Sequence, residues 1–157
     1  MPGPLGSAFA GSAHAVFWNS LSEAMPDYPF VPKSNRYLEP GQFWALPLSD
    51  GRYGCGRVMV VPAFGPKDRV HFVAGLAGWI GSGLPTEASI AGAPVLEQAK
   101  VHIEAIAKTG GSVLGIRPLE LDRLVPIDPH DYRVGAVHRA WGWQTIVNHA
   151  ETLAEEA

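Results

Sequence analysis

Residues 40–62 of the chain read PGQFWALPLSDGRYGCGRVMVVP, and this stretch decides the fold that the sequence predicts. Two β-strands are expected in it, over residues 42–46 and 53–61, with the Asp50-Gly51 pair between them. Asp-Gly is a favoured pair for a type I′ hairpin turn, in which both central residues have positive φ angles. A proline at each end limits the unit, because proline has no N–H to donate to a neighbouring strand. The stretch therefore predicts an antiparallel β-hairpin.

The remaining sequence predicts further strands and helices around this hairpin. Alternating apolar residues predict a third strand over 70–80, and a short β run is expected over 112–117. Residues 95–108 fit both a strand and a helix, and a strand to about residue 103 with a short helix after it is favoured. Apolar residues at helical spacing predict amphipathic helices over 13–24 and 139–155.

These elements predict an α+β fold, namely a curved antiparallel sheet or a small SH3-like barrel with two or three covering helices. The 157 residues fit one domain, and the 46% of hydrophobic residues are enough for a core. Residues 3–7, Gly-Pro-Leu-Gly-Ser, are typical of the remnant of a cleaved fusion tag. Residues 1–12 are therefore expected to be a tag remnant or disordered, and residues 13–157 to form the single domain.

Composition limits the partners that the chain is expected to have. The net charge is −3 and no basic run occurs, which argues against nucleic acid as a partner. No apolar stretch approaches the roughly 20 residues that a membrane-spanning helix needs, so no membrane partner is expected. The single cysteine, Cys55, excludes an internal disulfide and fits a reducing compartment. The expected location is cytoplasmic.

The histidine and cysteine patterns of the sequence predict no metal site, no cofactor and no catalytic residue. The histidines are too far apart in sequence to form the close pairs typical of zinc sites, and they are expected to be ordinary surface or hydrogen-bonded residues. They stand at positions 14, 71, 102, 130, 138 and 149. Cys55 lies between two glycines in a strand, where a small packing residue is expected more than a nucleophile.

The densest polar cluster is Asp128-Pro129-His130-Asp131. An Asp–His pair can orient an imidazole for general-base catalysis. Aspartate and proline are also the residues of which turns are made, so a turn is the favoured interpretation.

Four residues beside the hairpin turn are candidates for partner binding. Most aromatic residues in a chain of this composition are expected in the core, but one face of a strand beside a turn can be exposed. Aromatic and arginine side chains there would be suitable anchors for a protein partner. The candidates are Phe43, Trp44, Arg52 and Tyr53.

The hairpin sequence also resembles a known family. The run PGQFWALPL over 40–48, then Asp-Gly-Arg-Tyr-Gly over 50–54 and Gly-Arg-Val over 56–58, resembles the opening signature of the immunity protein 26 family. Gln42 stands where the family usually has an acidic residue. Residues 110–119, GGSVLGIRPL, resemble its second marker, without the tryptophan that usually follows the glycine. The resemblance covers residues 37–126.

This resemblance implies a bacterial immunity protein, which is a cytoplasmic, non-catalytic inhibitor of a cognate polymorphic toxin. The partner would be that protein toxin, and no cofactor is implied. Two alternatives remain open from the residues themselves. One is an SH3- or tudor-like peptide-binding module that uses Phe43, Trp44 and Tyr53 as a cage or groove. The other is a small hydrolase or metal enzyme built on Asp128, His130 and Asp131.

Overall fold

The computed structural model describes residues 26–131, 133 and 139–157. The helix predicted over 13–24 and the segment 1–12 lie outside the described residues. The described chain forms five strands and two α-helices in an α+β arrangement. In chain order they are β1 (Gln42–Pro47), β2 (Tyr53–Val60), β3 (His71–Gly81), β4 (Val95–His102), α1 (Glu104–Ala107), β5 (Val113–Ile116) and α2 (Trp143–Glu156), with a short 3₁₀ helix (Leu119–Asp122) between β5 and α2.

The five strands form one antiparallel sheet in the order β4-β3-β2-β1-β5. The sheet is open, because β4 and β5 lie at its two edges in the described chain and do not pair with each other. Register shifts interrupt the β1–β5, β2–β3 and β3–β4 pairs. Such irregularities bend strands, so the curved-sheet form of the prediction fits, and a barrel is not formed by the described strands.

The predicted hairpin is present, but the prediction of a type I′ turn is wrong. Strands β1 and β2 pair from Phe43↔Arg57 to Pro47↔Tyr53, and we call them with their connecting turn the central hairpin. Gly51 has a φ of +88°, whereas the φ of Asp50 is not positive. A type I′ turn needs positive φ at both positions. Instead the Gly51 N–H donates to the Leu48 carbonyl at 3.2 Å, and the left-handed Gly51 completes a three-residue loop of the kind that begins with a type I turn.

Both faces of the sheet are covered in its centre, which follows from the apolar residues on both faces of β1 and β2. One face carries Trp44, Leu46 and Val58 and packs against α2. The other carries Phe43, Cys55 and Met59 and packs against residues of the segments after β3 and β5. Those covering residues are Ile90, Leu119, Leu124 and Ile127.

Trp44 explains one of the glycines in the central hairpin. Its indole ring lies flat over Gly56 on the neighbouring strand, and a β-carbon at Gly56 would overlap the ring. On the opposite face Arg57 is fully buried, and its Nη2 donates to the carbonyls of Arg117 (2.6 Å) and Gly41 (3.4 Å). Its Nε and Nη1 have no partner in the described chain, and burial lowers the pKa of its guanidinium. The adjacent Gly56 and Arg57 therefore both serve the packing of the sheet.

The terminal helix is shorter than predicted at its start. Residues 139–142 are not helical, because Ala140 instead forms a parallel bridge with Lys100 at the free edge of β4. The buried face of α2 carries Ile146, Ala150 and Ala154. Neither helix of the described chain combines the length and the apolar character that crossing a membrane requires.

Candidate partner-binding site

Two of the four predicted partner-binding residues are buried, which corrects the expectation that they are exposed. Phe43 is 3% exposed and Trp44 is fully buried. The Trp44 Nε1–H donates to the Thr109 hydroxyl at 3.1 Å, and its ring meets that of Phe72 edge to face at 5.8 Å between centroids. The expectation failed because α2 and the segment around Ile90 cover both faces of β1. A surface cage or groove therefore cannot include Phe43 or Trp44.

The other two predicted residues, Arg52 and Tyr53, are half-buried at the end of the hairpin. The Arg52 guanidinium donates to the Asp50 carboxylate at 2.9 Å and to the Ala154 carbonyl at 3.1 Å. The hydrogen bonds from Arg52 hold the pKa of the Asp50 carboxyl below its usual value. Ser49 adds a second link to α2, because its N–H and its hydroxyl both donate to the Glu151 carboxylate. Arg52 thus fastens the turn to the end of α2.

The cluster at Asp128-Pro129-His130-Asp131 forms a turn. The backbone N–H of His130 donates to the Asp128 carboxylate at 2.9 Å, and the Asp131 carboxylate binds the Arg133 guanidinium at 2.6 Å. The Asp128 bond uses the His130 backbone and not its ring. Cys55 is fully buried, and burial raises the pKa of its thiol to about 12. A thiol with that pKa is protonated at neutral pH, so Cys55 lacks the reactive thiolate form.

A different cluster forms at the opposite end of the sheet, in the loop that joins β2 to β3. The Asp68 carboxylate accepts hydrogen bonds from the backbone N–H groups of Ala63, Phe64, Val70 and His71, at 3.1–3.2 Å. It also lies 3.0 Å from Nδ1 of His71. Burial would raise the pKa of Asp68, but the hydrogen bonds from Val70, His71 and Phe64 outweigh it and hold the pKa below its usual value. Asp68 is therefore a charged centre that shapes the loop.

Two histidines meet beside this loop. His71 on β3 is the cross-strand partner of His102 on β4, and their rings meet edge to face at 5.4 Å between centroids. The ionised Asp68 carboxylate can only accept, so Nδ1 of His71 carries a proton, and Nε2 is the nitrogen that can accept when the ring is neutral. His102 has the opposite arrangement, because its Nδ1 accepts from the backbone N–H of Glu104 at 3.1 Å. Its Nε2 is then the protonated nitrogen and can donate.

Lys100 lies next to the two histidines and pairs with no carboxylate among residues 26–131, 133 and 139–157. The residue is only 6% exposed, and its ammonium stands 4.6 Å from the centre of the Phe64 ring. Phe64 is itself 53% exposed and meets the His71 ring edge to face at 4.9 Å. A cation above an aromatic ring gains about 0.5–2 kcal/mol, which is less than an isolated ammonium loses on leaving water. Lys100 is thus a mostly buried cation with an exposed aromatic ring as its neighbour.

Further cations surround this cluster. Asn35 ties the preceding loop to it, because its side-chain amide donates to the Asp68 and His71 carbonyls at 3.0 and 2.9 Å. We call residues 33–36, 64–71 and 100–102 the cationic end. Its exposed cations are Lys33, Arg36, Lys67 and Arg69. Neither these four nor Lys100 makes an ion pair with a residue that the structure describes.

A concave surface lies along the edge strand β4. Its cavity of about 310 Å³ is lined by Leu96, Glu97, Gln98 and Arg139, among others. Its charged groups are already paired, because the Glu97 carboxylate binds the Arg139 guanidinium at 3.2 Å. Nδ1 of His149 also lies 3.3 Å from Glu97, without the alignment of a hydrogen bond. The cavity therefore offers an incoming ligand less unpaired charge than the cationic end does.

Sequence reasoning missed the cationic end because its parts are far apart along the chain. His71 and His102 are brought together only by the register of β3 and β4, and Lys100 reaches Phe64 across the same edge. The one local signal was Asp68, three residues before His71 in a loop rich in turn residues. Within the described ranges, no three His, Cys, Asp or Glu side chains are grouped so that they could hold a metal ion.

Comparison with known proteins gives no identity for the chain. No family model matches it, no curated protein is similar to it, and no solved structure matches it.

Proposed function

We propose that this chain is a bacterial immunity protein that neutralises a cognate toxin by binding it one to one, without catalysis. The observation that carries the proposal is the signature of residues 40–58, PGQFWALPLSDGRYGCGRV, which resembles the start of the immunity protein 26 family. Within that signature Trp44 packs against Gly56 on one face of the sheet, and Arg57 binds backbone carbonyls on the other face, so the pattern is tied to the fold. The toxin as partner and the cytoplasmic location are part of the proposal.

The arrangement of the surface supports a binding protein. Proteins that act by occupying a partner concentrate binding energy in a few anchors, often aromatic or arginine residues beside charged groups. Phe64 is such a residue, because it is exposed and stands between His71 and Lys100. The peptide-binding alternative of the SH3 or tudor kind loses support, because only Tyr53 of its three aromatic residues is not buried.

An enzyme is a second candidate, and one observation favours it. The Asp68 carboxylate orients His71 so that Nε2 is free, which is the arrangement of a general base held by an acid residue. This pair takes the place of the His130 cluster considered from the sequence. Cys55 does not serve as a nucleophile beside this pair, because it is buried in the centre of the sheet.

The test of the proposed function is growth of bacteria that make the toxin encoded beside this gene, with and without this chain. We expect the chain to restore growth and to co-purify with the toxin as a stable complex. His71→Gln separates the two candidates, because glutamine keeps a polar group but cannot act as a base. Binding predicts that any loss of protection is matched by a loss of affinity for the toxin. Complete loss of protection with an intact complex would support the enzyme instead.

A further inference from the structure

We propose that the cationic end is the docking surface for an acidic segment of the toxin, with one toxin carboxylate binding Lys100 and Phe64 serving as the apolar anchor. This inference rests on the proposed function and adds to it the place and the chemistry of the contact. It selects one end of the sheet from the whole surface of the described chain.

The main reason is the state of Lys100. Burying a charge costs free energy unless it is paired, and Lys100 is 94% buried, with its ammonium over the Phe64 ring and no described carboxylate bound to it. The side chain of Lys100 is therefore already held in place in the free protein. An incoming carboxylate then binds a cation whose side chain needs little further ordering, which makes the site favourable for an anion.

The nearby carboxylates that the structure describes do not fill this role. Asp68 is occupied by four backbone N–H groups and by His71, and Glu104 pairs with Lys108 at 3.5 Å. Nε2 of His102 is the protonated nitrogen of its ring and provides a second donor beside Lys100. The site thus offers a cation, a neutral donor and an apolar ring within one short stretch of β4 and the β2–β3 loop.

The surrounding charge favours an acidic protein segment over a nucleic acid. Lys33, Arg36, Lys67 and Arg69 are exposed around the site and would steer an acidic loop towards it. The whole chain nevertheless carries a net charge of −3, and Asp50 and Glu151 lie at the other end of the sheet, beside the hairpin turn. Negative charge there disfavours a long polyanion that extends along the protein more than it disfavours a short acidic loop at the cationic end.

The first arm of the test needs no toxin. The ¹⁵N-labelled chain is titrated with a decaglutamate peptide, and decalysine and a ten-nucleotide thymidine strand serve as matched probes. We expect amide shifts confined to residues 33–36, 64–71 and 100–102 with decaglutamate alone, weakened by added salt and lost in Lys100→Met. Shifts elsewhere, no shifts, or a stronger response to the thymidine strand would each overturn the inference.

The second arm uses the toxin. The double variant Lys67→Glu with Arg69→Glu reverses two exposed charges. As the control, Arg123→Glu reverses one exposed cation outside the site that forms no ion pair with a described residue. We expect the double variant and Lys100→Met to bind the toxin about 10-fold or more weakly, and the control to bind as the wild type. Unchanged binding by both site variants would refute the inference alone. Failure of the wild-type chain to bind or protect would instead refute the proposed function.

Discussion

Arg52 and Arg57 in the central hairpin both donate hydrogen bonds to backbone carbonyls, whereas Lys100 at the cationic end faces the ring of Phe64. In the hairpin, polar and aromatic side chains tie one element to another, as Arg52 ties the turn to α2. At the cationic end Asp68 and Asn35 make such ties, and the cations around them have no anionic partner in the described chain. The difference separates residues that hold the fold from residues that remain available to a partner.

The largest effect should come from the centre of the hairpin. Trp44→Ala removes a fully buried indole and its hydrogen bond to Thr109, and we expect it to lower the free energy of unfolding by about 3–5 kcal/mol. Urea denaturation followed by circular dichroism measures it. Phe64→Ala is the matched control, because Phe64 is 53% exposed and should cost much less. Equal costs for the two variants would break the distinction between the two regions.

Asp68 is the exception within the cationic end and sharpens the comparison. Asp68→Ala leaves four backbone N–H groups without their acceptor, and we expect a loss of about 2–4 kcal/mol in the free energy of unfolding. Asp68→Asn keeps one acceptor oxygen and should lose less. Urea denaturation of both variants checks this. If Asp68→Ala lowers the free energy of unfolding by less than Gly51→Val does, the loop does not depend on this carboxylate.

Low pH should remove part of the stabilisation that carboxylates such as Asp68 provide. The Arg117 guanidinium holds the pKa of Asp122 at about 2, and Asp68 also has a lowered pKa. A carboxyl with a lowered folded-state pKa stabilises the fold above its unfolded pKa and loses that contribution as the pH falls through the folded value. We therefore expect stability to fall as the pH drops from about 4 towards 2. Asp122→Asn should flatten that dependence in thermal unfolding measured across this range, and an unchanged slope would contradict it.

A smaller effect is expected at the hairpin turn. Gly51 has a φ of +88° and open space around it, so Gly51→Val should destabilise through backbone strain alone, by about 1–2 kcal/mol. Gly83→Val is the control, since Gly83 also has open space but no positive φ. The difference in melting temperature between the two variants measures the strain. Identical melting temperatures would show that the turn does not need glycine.

The smallest effect on stability should come from Lys100. Lys100→Met keeps the length of the side chain and removes an unpaired buried charge, so we expect stability to stay within about 1 kcal/mol of the wild type or to rise. Urea denaturation measures this. A large loss would mean that Lys100 holds the fold in the way Arg52 and Arg57 do, and the comparison would then fail.

The positions of the strands along the chain were predicted well, because local sequence patterns carry that information. The alternation over 70–80 and the proline and glycine residues near strand ends led to strands β1 to β5 with small errors in their bounds. The turn type was wrong because the Asp-Gly pair also suits a three-residue loop, and only the pairing of Leu48 with Arg52 decides between them.

The candidate site was much harder to predict. Exposure of Trp44 depends on α2, which is about 100 residues away in sequence, and the approach of Phe64, His71, His102 and Lys100 depends on the register of two strands. Neither fact has a local pattern. The four residues chosen at the hairpin turn were typical anchors by residue type, but two of them pack in the core.

The most direct test of the central claim is the stoichiometry of neutralisation. A fixed amount of the toxin encoded beside this gene is titrated with the purified chain while the toxin's activity is measured. Inhibition by one-to-one binding predicts that activity falls linearly and ends at one molar equivalent, and that it returns when the complex is separated. Inactivation of many toxin molecules by one molecule of this chain, or activity that does not return after separation, would contradict the claim.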